Sequence, residues 1–267
     1  MILMNRFIKW MMRCPLVAKC LFGFPIVLAV GVISAIGSQP KIITFIFGFI
    51  MLLFVIFSVD TCYVGPATKA ANHLNDTCDY EPLLAVTTEI EGLAKPSPTK
   101  QAMEINLALA HICKGDFITA KNIMSRINID KFSGVAYQVK LVYYNNLAEI
   151  EDHLGNKEAA DLYFDKLYKM YGDLKPGKQR AALESTVNSA LAAYLYRNGD
   201  CAEALKIMDA LKPNCRCAAV QNACLHARIL IALGENDRAR EALNFAIANG
   251  GKLYVVGEAE KMLATIS

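Results

Sequence analysis

Charge is scarce in this sequence, and what there is nearly cancels. Charged residues make up 20% of the 267 positions, and the formal net charge is only +3. That balance excludes a strongly basic nucleic-acid binder. Acids are almost missing from the first 60 positions, where Asp60 stands alone against Arg6, Lys9, Arg13, Lys19 and Lys41. The remaining 207 residues hold 23 basic and 24 acidic groups, so the whole basic excess belongs to the N-terminal segment. Common catalytic signatures are also absent: there is no G-x-x-x-x-G-K-[ST], G-x-S-x-G or H-E-x-x-H. Apolar residues are plentiful, at 54% of the chain. This excludes an intrinsically disordered polymer, which lacks the apolar surface to collapse.

Two apolar runs dominate the start. Leu16 to Ile36 carries one charge, Lys19, near its end, and Ile42 to Val59 carries none. A hydrocarbon core of ~30 Å needs ~20 helical residues, and both runs approach or reach that length. Gly37-Ser38-Gln39-Pro40-Lys41 between them reads as a tight turn. Residues 16–59 are therefore expected to form a transmembrane hairpin, after a basic N-terminal stretch at 1–15. Pro25 removes one backbone donor from the first span. Gly31 and Ala35 form a small-xxx-small pair suited to close helix contact. The basic groups lie before or at the start of the first span, while the connecting loop holds only Lys41. The positive-inside rule then places both termini in the cytoplasm. No A-x-A cleavage site follows the first run, so it reads as a span and not as a removed leader. Met1 to Arg13 is either a short interfacial helix or ordinary flanking sequence. Nine irregularly spaced cysteines do not form the framework of a secreted domain and agree with a reducing compartment.

Residues 60–267 show apolar positions three and four apart, as in Leu147, Ile150 and Leu154, and this is a helical pattern. They also repeat. KGDFITA, LGNKEAA, NGDCAEA and LGENDRA align on Gly115, Gly155, Gly199 and Gly234, which are 40, 44 and 35 residues apart. Five residues after each glycine stands Ala120, Ala160, Ala204 or Ala239. Seven before each stands Ala108, Ala148, Ala192 or Ala227. A glycine can end a helix in the left-handed conformation. The polar residue after it (Asp116, Asn156, Asp200 or Glu235) suits the positive end of the next helix. Paired alanines let the two antiparallel helices touch. A weaker copy precedes these, with Ala71, then Cys78-Asp79-Tyr80 at the turn and Leu83 in place of alanine. Lys95-Pro96-Ser97-Pro98, Lys175-Pro176-Gly177 and Lys212-Pro213-Asn214 separate the units, and the chain after Gly250-Gly251 is expected to cap the array.

This pattern resembles the tetratricopeptide repeat family, whose 34-residue helix-turn-helix unit has a small residue in its first helix, a Gly-Asp/Asn-aromatic turn and an alanine in its second. Gly115-Asp116-Phe117 with Ala120 matches best. The aromatic is missing from the other three copies, the family's first-helix tryptophan is missing throughout, and two spacings clearly exceed 34. The resemblance implies an all-α chain in which the hairpin is followed by a solenoid of about five such repeats. It further implies an extended concave surface for a protein or peptide.

No residue set points to an enzyme, a cofactor or a bound metal. Cys215, Cys217, Cys224 and His226 are the most suggestive group. However, Cys224 and His226 lie about 200° apart around a helix and do not face one ion. Cys113 with His111 has the same difficulty. His153, beside Glu151 and Asp152, reads as a solvated helix end. Tyr137, Tyr143, Tyr144, Tyr163, Tyr168 and Tyr171 crowd the third unit and suit helix packing or a binding surface. Asn106, Asn145, Asn146, Asn188 and Arg197 are candidates for an exposed concave wall. The expectation is a membrane-anchored, cytoplasm-facing scaffold that contacts the bilayer and a protein or peptide but not nucleic acid. The alternative is a structural subunit of a membrane complex that acts through its hairpin.

Overall fold

The computed structural model describes residues 4–36, 41–94, 97–129 and 137–266. Among these residues every regular element is a helix, fourteen in all. The expected turn at Gly37–Pro40 and the Lys95-Pro96 part of a loop lie outside the described residues.

A short α1 (Arg6–Arg13) begins where the Asn5 side chain accepts a hydrogen bond from the Phe7 N–H at 3.1 Å. It leads into two long apolar helices, α2 (Pro15–Ile36), which continues through Pro25, and α3 (Lys41–Asp60). Both are long and apolar enough to cross a membrane. They lie against each other, and Lys19 Nζ meets Asp60 Oδ1 at 2.8 Å across their base. The close approach does not use Gly31, where an added Cβ would meet nothing within 4 Å. Gly31 is exposed. The contact is made by Gly48, where a Cβ would meet Val30 Cγ2 at 2.2 Å, and by Gly23, opposite Leu52 Cδ1 at 2.9 Å. Gly48→Leu should therefore force the helices apart at a cost of about 1–3 kcal/mol, and Gly31→Leu should not. Spin-label distances between Leu21 and Phe54 in nanodiscs check this. A distance distribution unchanged by Gly48→Leu contradicts the packing.

Beyond the hairpin the helices pair in order. The pairs are α4 (Val64–Thr77) with α5 (Glu81–Leu93), α6 (Pro98–Lys114) with α7 (Phe117–Ser125), and α8 (Tyr137–His153) with α9 (Lys157–Gly172). Then come α10 (Lys178–Arg197) with α11 (Cys201–Ala210), and α12 (Arg216–Ala232) with α13 (Asn236–Asn249), before a final α14 (Tyr254–Thr265).

Four turns are built alike. Gly115, Gly155, Gly199 and Gly234 have φ of 83°, 77°, 86° and 79°. Each glycine N–H bonds to the carbonyl three residues back, and the next N–H bonds to the carbonyl five back, as in Gly115 to Ile112 and Asp116 to His111. This double bond pattern satisfies carbonyls that the helix end would otherwise leave free. The following helices start on Asp116 and Asp200, whose carboxylates accept from the Thr119 and Glu203 N–H groups. Asn156 instead donates to Glu151, and Glu235 pairs with Arg238. In the first pair Cys78 takes the same left-handed conformation, φ 58°, without being glycine. Of the eight repeat alanines, seven are fully buried between helices and Ala148 is only half-buried.

The stack curls back on itself. Helix α12 lies against α4, and α14 reaches α6. One apolar core runs through Leu74, Leu83 and Ile90 of the first pair and Val220, Leu230 and Leu243 of the last. Burying each such side chain contributes ~1.5–3 kcal/mol. Gly250 and Gly251 make the closure possible. A Cβ on Gly251 would stand 2.9 Å from the Thr77 carbonyl oxygen and 3.0 Å from that of Cys78. The Lys252 N–H bonds to the Cys78 carbonyl, and its Nζ reaches Asp79 and Glu81. Helix α1 joins this closed body from the outside. Met4 and Met12 are buried in the same core, and Lys9 pairs with Glu89 of α5. Protein thus covers part of the apolar side of α1, while Phe7 stays exposed and packs on Trp10 and Phe22.

Candidate functional site

Closure leaves a cavity of about 230 Å³ where an extended concave groove was expected. Its wall comes mainly from the first helices of successive pairs. Asn145, Ala148, Glu149, Asp152 and His153 come from α8; Ser185, Ser189 and Arg197 from α10; and Gln221, Asn222 and Arg228 from α12. Tyr254 and Val255, at the start of α14, close one side, and Phe164 adds apolar surface.

Most polar groups here are already matched. Arg197 meets Asp152 at 3.2 Å and Asp161 at 2.7 Å, and Arg228 meets Glu258 at 2.5 Å. Ser189 Oγ donates to Asn222 Oδ1 at 2.6 Å. His153 stacks on Phe117 with ring centres 4.2 Å apart, and its Nε2 is 2.8 Å from the Tyr254 hydroxyl. Burial lowers the His153 pKa, with Glu258 and Arg228 acting against each other, so the ring is neutral at pH 7. His153 is therefore not a solvated helix end: Phe117 and Tyr254 enclose it. Its neighbour Glu151 is buried too, held by Lys121 Nζ at 2.9 Å.

Glu149 is the exception. Among the described residues nothing forms a hydrogen bond or ion pair with its carboxylate, although it lines the cavity. Burial pushes its pKa up to about 7; Asp152 and Glu258 add to this and Arg228 opposes it. A carboxylate with a raised folded-state pKa contributes against stability once it must ionise. Stability from this group is full below its ordinary value of 4.5 and falls as the pH rises to about 7. Glu149→Gln should therefore stabilise the fold by on the order of 2–3 kcal/mol at pH 8 and by little at pH 4.5. Denaturant unfolding of both proteins at the two pH values measures the difference. An equal effect at both would show that ionisation is not the cause.

The sequence candidates are dispersed by the fold. Asn145 and Arg197 do line the cavity, but Asn188 lies on a separate groove between α10 and α11. Asn146 is buried, not exposed, and Asn106 is half-buried beside Met103. Tyr143 and Tyr171 are core residues, whereas Tyr168 stacks on Phe164 and is largely exposed. The Cys215 to His226 group points four ways. Cys215 Sγ accepts from the Ala218 N–H, Cys224 faces the Val255 carbonyl, and His226 lies 3.1 Å from Asp209. Cys217 instead lies beside two distant thiols, Cys113 and Cys78, at the seam of the closed stack. The adjacent Cys217 sulfur first, and burial second, push the Cys113 pKa upward. Among the described residues no cluster of His, Cys, Asp and Glu is arranged to hold a metal.

Comparison with protein-family models, with curated proteins and with solved structures finds no match. The functional reading therefore rests on the chain's own residues. Glu149, Arg228 and Tyr254 escape motif searches. Even so, Glu149 and Arg228 share a register: each is six residues before its turn glycine and directly follows the repeat alanine.

Proposed function

We propose that this chain is a membrane-anchored, cytoplasm-facing tetratricopeptide-like scaffold whose curled repeat body receives a protein or peptide partner. The observation that carries this reading is the bare apolar surface of α2 and α3. Leu16, Phe24, Ile36, Ile42 and Phe57 are each more than 60% exposed. So large an uncovered apolar surface suits lipid and not water. The basic groups before α2 support a cytoplasmic N-terminus, and an even number of spans returns the repeat body to the same side. A half-enclosed cavity with an uncompensated carboxylate supports recognition through the repeat body, and this favours the scaffold over a subunit acting through its hairpin alone.

Photo-crosslinking of the full chain in its native membranes tests the reading. A crosslinker at Gln221, on the cavity wall, should give a discrete adduct. The same group at the exposed Leu162 on α9 should not. Protease added to the outer face of sealed cells should leave the repeat body intact. Digestion from that face overturns the orientation, and equal adducts from both positions overturn the cavity as the contact surface.

A further inference from the structure

The cavity has a definite chemical preference. Its two arginines are occupied, Arg197 by Asp152 and Asp161 and Arg228 by Glu258. His153 is held between Phe117 and Tyr254. The charged groups around the space are therefore four carboxylates from α8, α9 and α14 against two guanidinium groups from α10 and α12. That is an excess of two negative charges, and Glu149 is the carboxylate of the four that has no ion-pair partner. Its surroundings combine hydroxyl and amide groups (Ser189, Asn145, Gln221) with apolar walls from Phe164, Leu225 and Val255. An inward carboxylate beside such walls complements a cation carried on a short methylene chain. A metal ion would need several converging ligands, and none converge here among the described residues.

We propose that the cavity is a binding site for an alkylammonium group, with Glu149 as its counter-ion and the Phe164, Leu225 and Val255 surfaces covering the methylenes. The ammonium belongs either to the lysine side chain of a partner or to a free aliphatic amine. The first source deepens the scaffold reading and rests on it; the second does not. The unpaired carboxylate disfavours the empty state and is compensated when the cation enters, so binding should also raise the protein's stability.

Calorimetric titration of the full chain in nanodiscs tests this with cadaverine, with Nα-acetyl-lysine methylamide and with 1-pentanol. One or both amines should bind at pH 8, and the neutral alcohol should not. Binding must compete with protonation of Glu149, whose pKa is about 7. The affinity should therefore fall by about thirtyfold between pH 8 and pH 5.5, where both amines keep their charge. The other titratable or charged groups around the space are Asp152 and His153 of α8, Asp161 of α9, Arg197 of α10, Arg228 of α12 and Glu258 of α14. Burial lowers the His153 pKa, so protonation of Glu149 is the event that the pH series follows. Glu149→Gln should abolish binding while raising thermal stability, which separates loss of the site from loss of the fold. Binding of cadaverine alone assigns a free amine, and binding of the lysine derivative alone assigns a partner side chain. The proposal fails if neither amine binds at 10 times the concentration typical of small-ligand sites, roughly 10 mM. It fails equally if 1-pentanol binds as well as the amines, or if Glu149→Gln binds like the native protein. Such a failure leaves the crosslinking result untouched, so the two readings fall separately.

Discussion

Gly251→Val should unseat the C-terminal helix from the first helical pair and destabilise the repeat body by about 3 kcal/mol or more. Two effects add at this position. The residue has φ of +54°, a conformation in which a β-branched side chain is strained. The new Cβ would also press on the Thr77 and Cys78 carbonyl oxygens, which are backbone atoms and cannot swing aside. The displaced segment loses the Lys252 N–H bond to Cys78 and the reach of Lys252 to Asp79 and Glu81. Gly155→Ala is the matched control. Its φ is +77°, but nothing lies within 4 Å of the added Cβ, so only the left-handed cost of about 1–2 kcal/mol applies. Thiol labelling reads the distinction directly, because Cys78, Cys113 and Cys217 are buried in the seam. Iodoacetamide should modify all three rapidly in Gly251→Val and slowly in both the native chain and Gly155→Ala. Seam cysteines that remain protected in Gly251→Val, with a Tm no lower than the control's, would mean that closure does not depend on this approach.

Local features were legible in the sequence and the closure was not. The apolar hairpin follows from two runs of spanning length, and the helical class follows from apolar spacing and from the recurring glycine. The four glycines mark helix ends because their φ is the one that side chains avoid, so residue type and backbone geometry are tightly linked there. Closure has no such link. Lys252 meets Asp79 across 173 residues of sequence, and the Cys113–Cys217 contact joins helices from the second and last pairs. No periodicity encodes either contact. Gly250-Gly251 reads as an ordinary break until its neighbour at Cys78 is known. Faces were partly legible. The residue after each repeat alanine has one register, and at Glu149 and Arg228 it turns to the cavity. His226, two residues before Arg228, turns away from the cavity to Asp209, as a helix rotation of about 200° requires. His153 was misread because Glu151 and Asp152 beside it suggest solvent. What encloses it is Tyr254, contributed from a hundred residues away.

That tyrosine supplies the second large effect. Tyr254→Ala should cost about 3 kcal/mol, at the lower end of the range for removing a large aromatic because Tyr254 is only partly buried. Its ring meets Phe117 and His153 edge-on, at 5.1 and 5.3 Å between centres, and its hydroxyl bonds to His153. Its Cβ lies where a side chain on Gly115 would stand, 2.9 Å from that position. The second pair's turn therefore stays glycine for two reasons, its φ of +83° and the passage of Tyr254. Tyr254→Phe keeps the ring and removes only the hydroxyl, so it should cost about 1 kcal/mol. Hydrogen exchange separates a local from a global loss. In Tyr254→Ala the amides of α14 should lose protection first, while those of α8 and α9 keep most of theirs. Because Tyr254 also forms one wall of the cavity, the same substitution should open the Glu149 carboxylate to water. Its pKa would then fall toward the ordinary carboxylate value, since burial is the main cause of its rise. The pH-dependent part of the stability should shrink accordingly in Tyr254→Ala and persist in Tyr254→Phe. If Tyr254→Ala kept the native pH dependence, Glu149 would owe its environment to α8, α10 and α12 alone, and α14 would be a cap on the stack without a part in the site.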